Sequence, residues 1–260
     1  MERPKNYLEY NKSAWNNLVK SGNRWTIPFS DIIIQSARNG DWKIVLTPSL
    51  KVPHDWFKAS GKKLLGLASG GGQQCPVLSA AGFDVTVFDN SQEQLNQDNL
   101  MAEKHSLDIK TVQGDMADLS VFADESFDIV FNPCSTCFVP DVRKVYKEVA
   151  RILKKGGVFM TGFTKPVYYL FDVKLAETGV FTLKYTSPYS DLASLDDEEL
   201  KFFLDQNEPV VFGHSLEDHI NGQIQAGLEI TEIGEDSWGG DNPMDKYFPA
   251  FVATRAVKKH

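Results

Sequence analysis

The chain has 260 residues, with 27 basic against 35 acidic side chains and a formal charge of −8, so a polyphosphate-binding surface would have to be built against an unfavourable field. Hydrophobic residues at 42% and charged residues at 24% sit at globular averages, which excludes a disordered or fibrous chain. The uncharged run 129–140 is far short of a membrane span and holds Asn132, Pro133 and Pro140; Met1-Glu2-Arg3-Pro4-Lys5-Asn6 has no apolar core for a signal peptide; three cysteines give no disulfide framework. These features predict a cytoplasmic protein with no membrane segment.

Residues 1–61 differ in texture from the remainder. They hold Trp15, Trp25, Trp42 and Trp56, and two helices are expected at 10–20 and 31–38. This stretch reads as an N-terminal helical and aromatic cap on a main domain at 62–260. From residue 62 onward, short apolar runs at 63–68, 84–88, 109–112, 127–131 and 158–163 alternate with helical periodicity at 73–81, 92–105 and 142–153. The last helix carries Val142, Val145, Tyr146, Val149, Ile152 and Leu153 as one apolar stripe, with Asp141 as its N-cap and Lys154-Lys155-Gly156 as its stop. Ser91 with Gln94 predicts a capping box at the start of the second helix. Strands alternating with helices imply a parallel sheet covered on both faces, an α/β domain. The alternation breaks at an aromatic insertion, 165–212, whose acidic run Asp196–Glu199 suits a helix N-terminus. A helix at 216–226, boxed by Ser215 and Asp218 and stopped by Gly227, then leads to strands at 228–233 and 248–254, expected to pair as an antiparallel hairpin.

The richest segment is Leu64-Leu65-Gly66-Leu67-Ala68-Ser69-Gly70-Gly71-Gly72-Gln73-Gln74, a glycine loop that ends a strand and opens a helix. Backbone N–H groups and the positive end of the helix dipole face outward there, and glycine lets a ligand approach the main chain. Asp89 ends the second strand, where a carboxylate can accept from two ribose hydroxyls. Asp115 follows the third strand, placed to accept from an exocyclic amine, with Met116 as an apolar face beside a ring. Asn132 ends the fourth strand. Three strand ends thus converge on one glycine loop, a pattern more specific than any one of its members.

The order Leu64–Gly72, Asp89-Asn90-Ser91, Gly114-Asp115-Met116, Phe127-Asp128-Ile129-Val130 and Arg151-Ile152-Leu153-Lys154-Lys155-Gly156-Gly157 resembles a class I S-adenosylmethionine-dependent methyltransferase of the bacterial small-molecule type. The resemblance is dense over 62–164. It implies a Rossmann-like, seven-stranded, mostly parallel sheet in the order 3-2-1-4-5-7-6, with helices on both faces. It implies S-adenosyl-L-methionine as cofactor, S-adenosyl-L-homocysteine as product and in-line methyl transfer to a small-molecule acceptor. It also implies that the loop with Ala68, Ser69, Gly70 and Gly72 approaches the methionine part, that Asp89 binds the ribose, and that Asn90 and Gln94 flank the adenine. Asp115 and Met116 would touch the adenine edge, and Asn132 would lie near the transferring methyl. One departure stands out: the family usually places an acidic residue where Gly66 stands, and Ala68-Ser69 occupy the site of a common first glycine.

Two other readings stay open at this level: a non-catalytic S-adenosylmethionine-binding scaffold, and an NAD(P)-dependent oxidoreductase. The latter needs a third glycine where Cys75 stands. Cys134-Ser135-Thr136-Cys137 lacks the second pair that a structural zinc site needs, so no metal is expected, though the segment follows the fourth strand and is placed to line the pocket. The acceptor is expected between the cap and the insertion, with Trp25, His54 and Tyr168 as contacts. If a general base is needed, His54, His214 and His219 are the candidates, with His214 the first choice because it precedes a helix after the insertion; His105 and His260 read as surface and terminus. Negative charge and the lack of a basic patch speak against a nucleic-acid acceptor.

Overall fold

The computed structural model describes residues 3–259; Met1 and Glu2 of the charged N-terminal run and His260 lie outside the described residues. The chain opens with α1 (Tyr7–Ser21) and α2 (Asp31–Arg38). α1 begins before its apolar periodicity does, because the Asn6 side chain accepts from the N–H groups of Leu8 and Glu9. The alternating region follows as β1 (Lys63–Leu67), α3 (Gln74–Ala80), β2 (Asp84–Asp89), α4 (Gln92–His105), β3 (Ile109–Gln113), β4 (Phe127–Asn132), α5 (Val142–Ile152) and β5 (Leu153–Thr164). After it come α6 (Val173–Glu177), β6 (Tyr189–Ser190), α7 (Asp191–Ser194), α8 (Asp197–Asp205), β7 (Phe212–Gly213), α9 (Leu216–Gln225), β8 (Leu228–Asp236) and β9 (Phe251–Lys258).

The main sheet runs β3-β2-β1-β4-β5-β9-β8, which counts as 3-2-1-4-5-7-6 when its seven strands are numbered along the chain. β1 to β5 are mutually parallel, and β9 and β8 add antiparallel. Strand alternation sorts side chains between the two faces. Leu64, Ile129 and Met160 pack with α3, while Leu65, Val130 and Phe159 pack with the α5 stripe of Val145, Tyr146 and Val149. The capping box of Ser215 and Asp218 forms in full, and Asp196 with Glu199 forms another at α8.

Several boundaries differ from the sequence expectation. α5 stops at Ile152, and Lys154-Lys155-Gly156-Gly157 belong to β5, which pairs from Leu153 through a register shift between Phe127 and Ile129. β9 begins at Phe251 rather than 248, because Pro249 has no N–H to give to a ladder. β8 extends to Asp236 through charged residues, as an edge strand with one solvated side permits. At α4 only half of the expected box exists: Ser91 accepts from the Gln94 N–H, but the Gln94 side chain turns elsewhere. A second, two-stranded sheet of β6 and β7 was absent from the sequence reading; Tyr169, Tyr189, Leu195 and Leu200 form its small core.

Candidate functional site

The parallel strands deliver their carboxyl ends to one edge. β1 leaves the sheet at Ala68, which takes a left-handed φ of 46° and donates its N–H to Phe88 O at 2.7 Å. The missing acid at position 66 has a steric cause. A Cβ on Gly66 would stand 2.2 Å from Cys75 Sγ and 2.5 Å from Ser69 Oγ, and those two atoms contact each other at 3.1 Å. Ser69 and Cys75 therefore fill the space that a carboxylate at position 66 would enter.

The glycine loop is held by two aspartate side chains instead. Asp89 Oδ2 accepts from Gly70 N–H at 3.0 Å and its Oδ1 from Ser91 N–H at 2.9 Å. Gly70 is the close-approach position here, since a Cβ on it would sit 2.8 Å from Gln94 Cβ and 3.2 Å from Asp89 Oδ2. Beneath the loop, fully buried Asp98 of α4 accepts from Gly71 N–H at 2.9 Å. Burial pushes the Asp98 carboxyl up to about 8 and raises Asp89 as well, with backbone N–H groups opposing both shifts. Sequence reasoning missed Asp98; its signal was a lone acid on the inner face of α4, legible only once α4 is packed against the loop.

A cavity of about 520 Å³ opens at this edge. Its wall brings together Ala68, Ser69 and Gly70 from the loop, Asp89, Asn90, Asp115 and Met116 from the ends of β2 and β3 and Gln94 from α4, with Trp25 and Tyr168. Asn90 Nδ2 donates to Leu8 O at 3.0 Å, and Asp115 Oδ1 accepts from Ala117 N–H at 2.9 Å. Gln94 Oε1 is buried with no hydrogen-bond partner among the described residues, an acceptor suited to a ligand's donor. These residues fit an adenosine group: paired carboxylates at two strand ends, an orphan amide oxygen and Met116 packed with Phe88.

Five expected residues are not on that wall. Gly72 faces Pro28 and the Gln97 carbonyl. Asn132 is fully buried; its amide donates to Leu67 O at 2.8 Å and Ser135 Oγ at 2.6 Å and accepts from Thr161 Oγ1 at 2.9 Å, so it pins β4 to its neighbours. His214 is buried with Nε2 at 2.9 Å from Val139 O and 3.1 Å from Thr136 O, and its pKa is lowered by desolvation. His54 stacks on Trp42 at 3.8 Å and bonds its carbonyl. His219 is buried against Tyr146 and Phe163. The wall also holds residues that sequence reasoning did not single out: Leu46, Thr47 and Pro48 from the first stretch, Glu208 and Val211 from the insertion, and Trp238 and Phe251 from the last hairpin. Cys134 and Cys137 line it too.

The N-terminal stretch is bonded across this edge. Gln73 Nε2 donates to Arg24 O at 3.0 Å and Ile27 O at 2.9 Å, Ser91 Oγ meets Asn16 Oδ1 at 2.7 Å, and Asn11 bonds both backbone groups of Val210. Asp236, at the end of β8, accepts from Thr47 Oγ1 at 2.7 Å, Ser49 N–H at 2.8 Å and Leu50 N–H at 2.7 Å, fixing the turn that brings Thr47 and Pro48 to the cavity.

Residues 65–161 match a family described as a methyltransferase domain. The chain is 48% identical over 252 residues to the uncharacterized methyltransferase YbaJ of Bacillus subtilis, covering 96% of this chain and 98% of that protein. It is 35% identical over 102 residues to sterol 24-C-methyltransferase ERG6B of Gibberella zeae, 38% of this chain and 27% of that one. Among solved structures, geranyl diphosphate C-methyltransferase from Streptomyces coelicolor A3(2), in complex with Mg2+, geranyl diphosphate and S-adenosyl-L-homocysteine, superposes with a TM-score of 0.59 at 15% identity, covering 99% of this chain and all of that one. An S-adenosylmethionine-dependent methyltransferase from Mesorhizobium loti gives 0.59 at 17% identity over 78% of this chain and 94% of its own. At those identities the solved structures share the fold.

Proposed function

The chain belongs to the S-adenosylmethionine-dependent methyltransferases, and from that premise we propose that it methylates a small, apolar acceptor bound between residues 1–61, acting as a cap, and the insertion 165–212. One observation carries the reading: a single cavity is lined both by the Asp89 and Asp115 strand ends and by the aromatic rings of Trp15, Phe138, Tyr168, Tyr169 and Trp238. The sterol methyltransferase relatives are named for an apolar acceptor, which supports the same class. Among the described residues no lysine or arginine lines the cavity, which speaks against a nucleic-acid acceptor. No helix among the described residues is long and apolar enough to cross a membrane.

When bound, S-adenosylmethionine supplies an activated methyl on a sulfonium. The protein's part is then alignment, which can contribute roughly 7–11 kcal/mol through proximity and orientation. In this assignment Asp89 accepts from the ribose hydroxyls while bracing Gly70 and Ser91. Asn90, Gln94, Asp115 and Met116 surround the adenine. Ala68, Ser69 and Gly70 face the methionine part. The aromatic chamber excludes water and holds the acceptor in line.

Titration calorimetry with S-adenosylmethionine, S-adenosylhomocysteine and NADH on ligand-stripped protein tests the assignment. Micromolar binding of both adenosyl compounds with none for NADH is the expected result. No adenosyl binding would overturn it and favour a scaffold.

A further inference from the structure

Backbone donors of the glycine loop face inward. Ala68 N–H bonds Phe88 O, Gly70 N–H bonds Asp89 Oδ2 and Gly71 N–H bonds Asp98 Oδ2, so three groups placed to meet a ligand are engaged by the protein. S-adenosylmethionine ends in an amino acid, and its carboxylate needs a donor that these three groups do not offer.

The Gln74 side chain, at the start of α3 just past the loop, offers one. It stands on the cavity wall and is 9% exposed. Its Oε1 accepts from Val45 N–H at 3.2 Å. An N–H can meet only the acceptor end of an amide, so that bond fixes which way the Gln74 amide is turned. Its Nε2 has no partner among the described residues and is not sealed from solvent; in a residue this buried, it opens on the cavity. The anchor is itself held, because Val52 N–H bonds Ile44 O at 3.0 Å beside Val45 and Asp236 fixes the turn that follows. Gln73 is set the opposite way: its Nε2 donates to Arg24 O and Ile27 O, which leaves that amide no donor for a ligand. The Trp238 indole N–H also lacks a partner among the described residues, but it is sealed. Gln94, the other buried glutamine of the wall, belongs beside the adenine in the assignment above.

We propose that Gln74 receives the carboxylate of the cofactor's amino-acid end at its Nε2, and that it makes the site select adenosyl compounds carrying this carboxylate over those that lack it. This deepens the function proposed above and rests on it. A neutral amide suffices, because hydrogen bonds to an ionised acceptor are about twice as strong as neutral ones. Gln74 at one end and Asp89 at the ribose then hold the sulfur between them, which is the alignment that transfer requires. The rival partner for the carboxylate is the Arg24 guanidinium, which lies over the rings of Trp25 and Trp238 at 4.4 and 5.8 Å and pairs with Asp241 at 3.8 Å.

Calorimetry at about pH 8, where a glutamate is ionised, compares three ligands. S-adenosylhomocysteine has the whole amino-acid end, S-adenosyl-3-thiopropylamine keeps the amine without the carboxylate, and 5′-methylthioadenosine has neither. Gln74→Glu keeps the acceptor for Val45 N–H and the side-chain shape while turning the donor into an anion. S-adenosylhomocysteine should then bind at least about tenfold more weakly, methylthioadenosine should stay within about threefold, and the thiopropylamine should bind no more weakly than to wild type. Gln74→Met, neutral and of similar length, reads the same contrast if the glutamate variant does not fold. No loss for S-adenosylhomocysteine, an equal loss for methylthioadenosine, or a selective loss in Arg24→Gln with none in Gln74→Glu would each overturn the proposal. If wild type fails to bind S-adenosylhomocysteine, the cofactor assignment fails and takes this inference with it. If wild type binds and the Gln74 variants show no selective loss, this inference alone falls.

Discussion

Asp89 separates recognition from architecture, and two substitutions read the difference. Its carboxylate already accepts from Gly70 and Ser91 N–H groups, one on each oxygen, and each oxygen retains a lone pair for a ribose hydroxyl. Hydrogen bonds to a charged group contribute about 1.5–3 kcal/mol each. Losing both ribose bonds is therefore worth roughly 3 kcal/mol at the lower bound, or about a hundredfold in Kd at about 1.4 kcal/mol per decade. Asp89→Asn keeps one acceptor oxygen and the side-chain shape, and should weaken S-adenosylhomocysteine about tenfold. Asp89→Ala should cost the full hundredfold and lower the Tm, since Gly70 and Ser91 lose their acceptor. The assay is calorimetry at fixed pH beside a thermal melt. An unchanged Kd in Asp89→Asn, together with a lowered Tm in Asp89→Ala, would show that Asp89 braces the loop and does not read the ribose.

Gly66→Asp drives a side chain into Cys75 and Ser69, and overpacking of that kind costs about 1–3 kcal/mol. The melt should fall by several degrees, at roughly 2–4 °C per kcal/mol. Adding Cys75→Ala should restore part of the loss; strictly additive effects would refute the steric account. Asp98, pushed up to about 8 by burial, keeps its proton in the folded state to higher pH than in the unfolded chain. The stability it contributes is present below pH ~4 and is lost as pH rises toward its folded value. Asp98→Asn should flatten the fall in Tm between about pH 5 and 8, and melting curves parallel to wild type across that range would contradict the assignment. Asp236→Ala removes the shared acceptor of Thr47, Ser49 and Leu50 and should cost about 2–4 kcal/mol. Limited proteolysis should then cut near 47–50 while S-adenosylhomocysteine affinity stays within threefold; resistance equal to wild type would count against Asp236 fixing this turn.

Legibility tracked how local the cause was. The α5 stripe and the apolar strands follow from neighbours three or two residues away, and Asp89 and Asp115 follow from standing at the ends of such strands. Asn132 stands at a strand end too, yet its side chain is captured by Leu67, Ser135 and Thr161, two of which lie on other strands. Gly66 looked like a lost acid; the reason is a cysteine on the next helix. The β6 and β7 pairing, two residues each, carries no periodicity to read. Thr47, Glu208 and Trp238 reach the same cavity from three distant parts of the chain, so no window of sequence shows them together.

The ties across the sheet edge bear on the order in which the molecule can assemble. Asn11 bonds Val210, Thr47 bonds Asp236 and Arg255 bonds the Trp56 carbonyl, separations of 199, 189 and 199 residues. A nascent chain emerging N-terminus first has made its tryptophan-rich stretch long before any of those partners exists. Closing loops of that length costs roughly 5 kcal/mol of chain entropy, repaid only after the central sheet is in place. The walls of the cavity are consequently the last part of the molecule to be finished. The N-terminal stretch, bonded across the cavity edge, is also the part most exposed to misassembly on the way there.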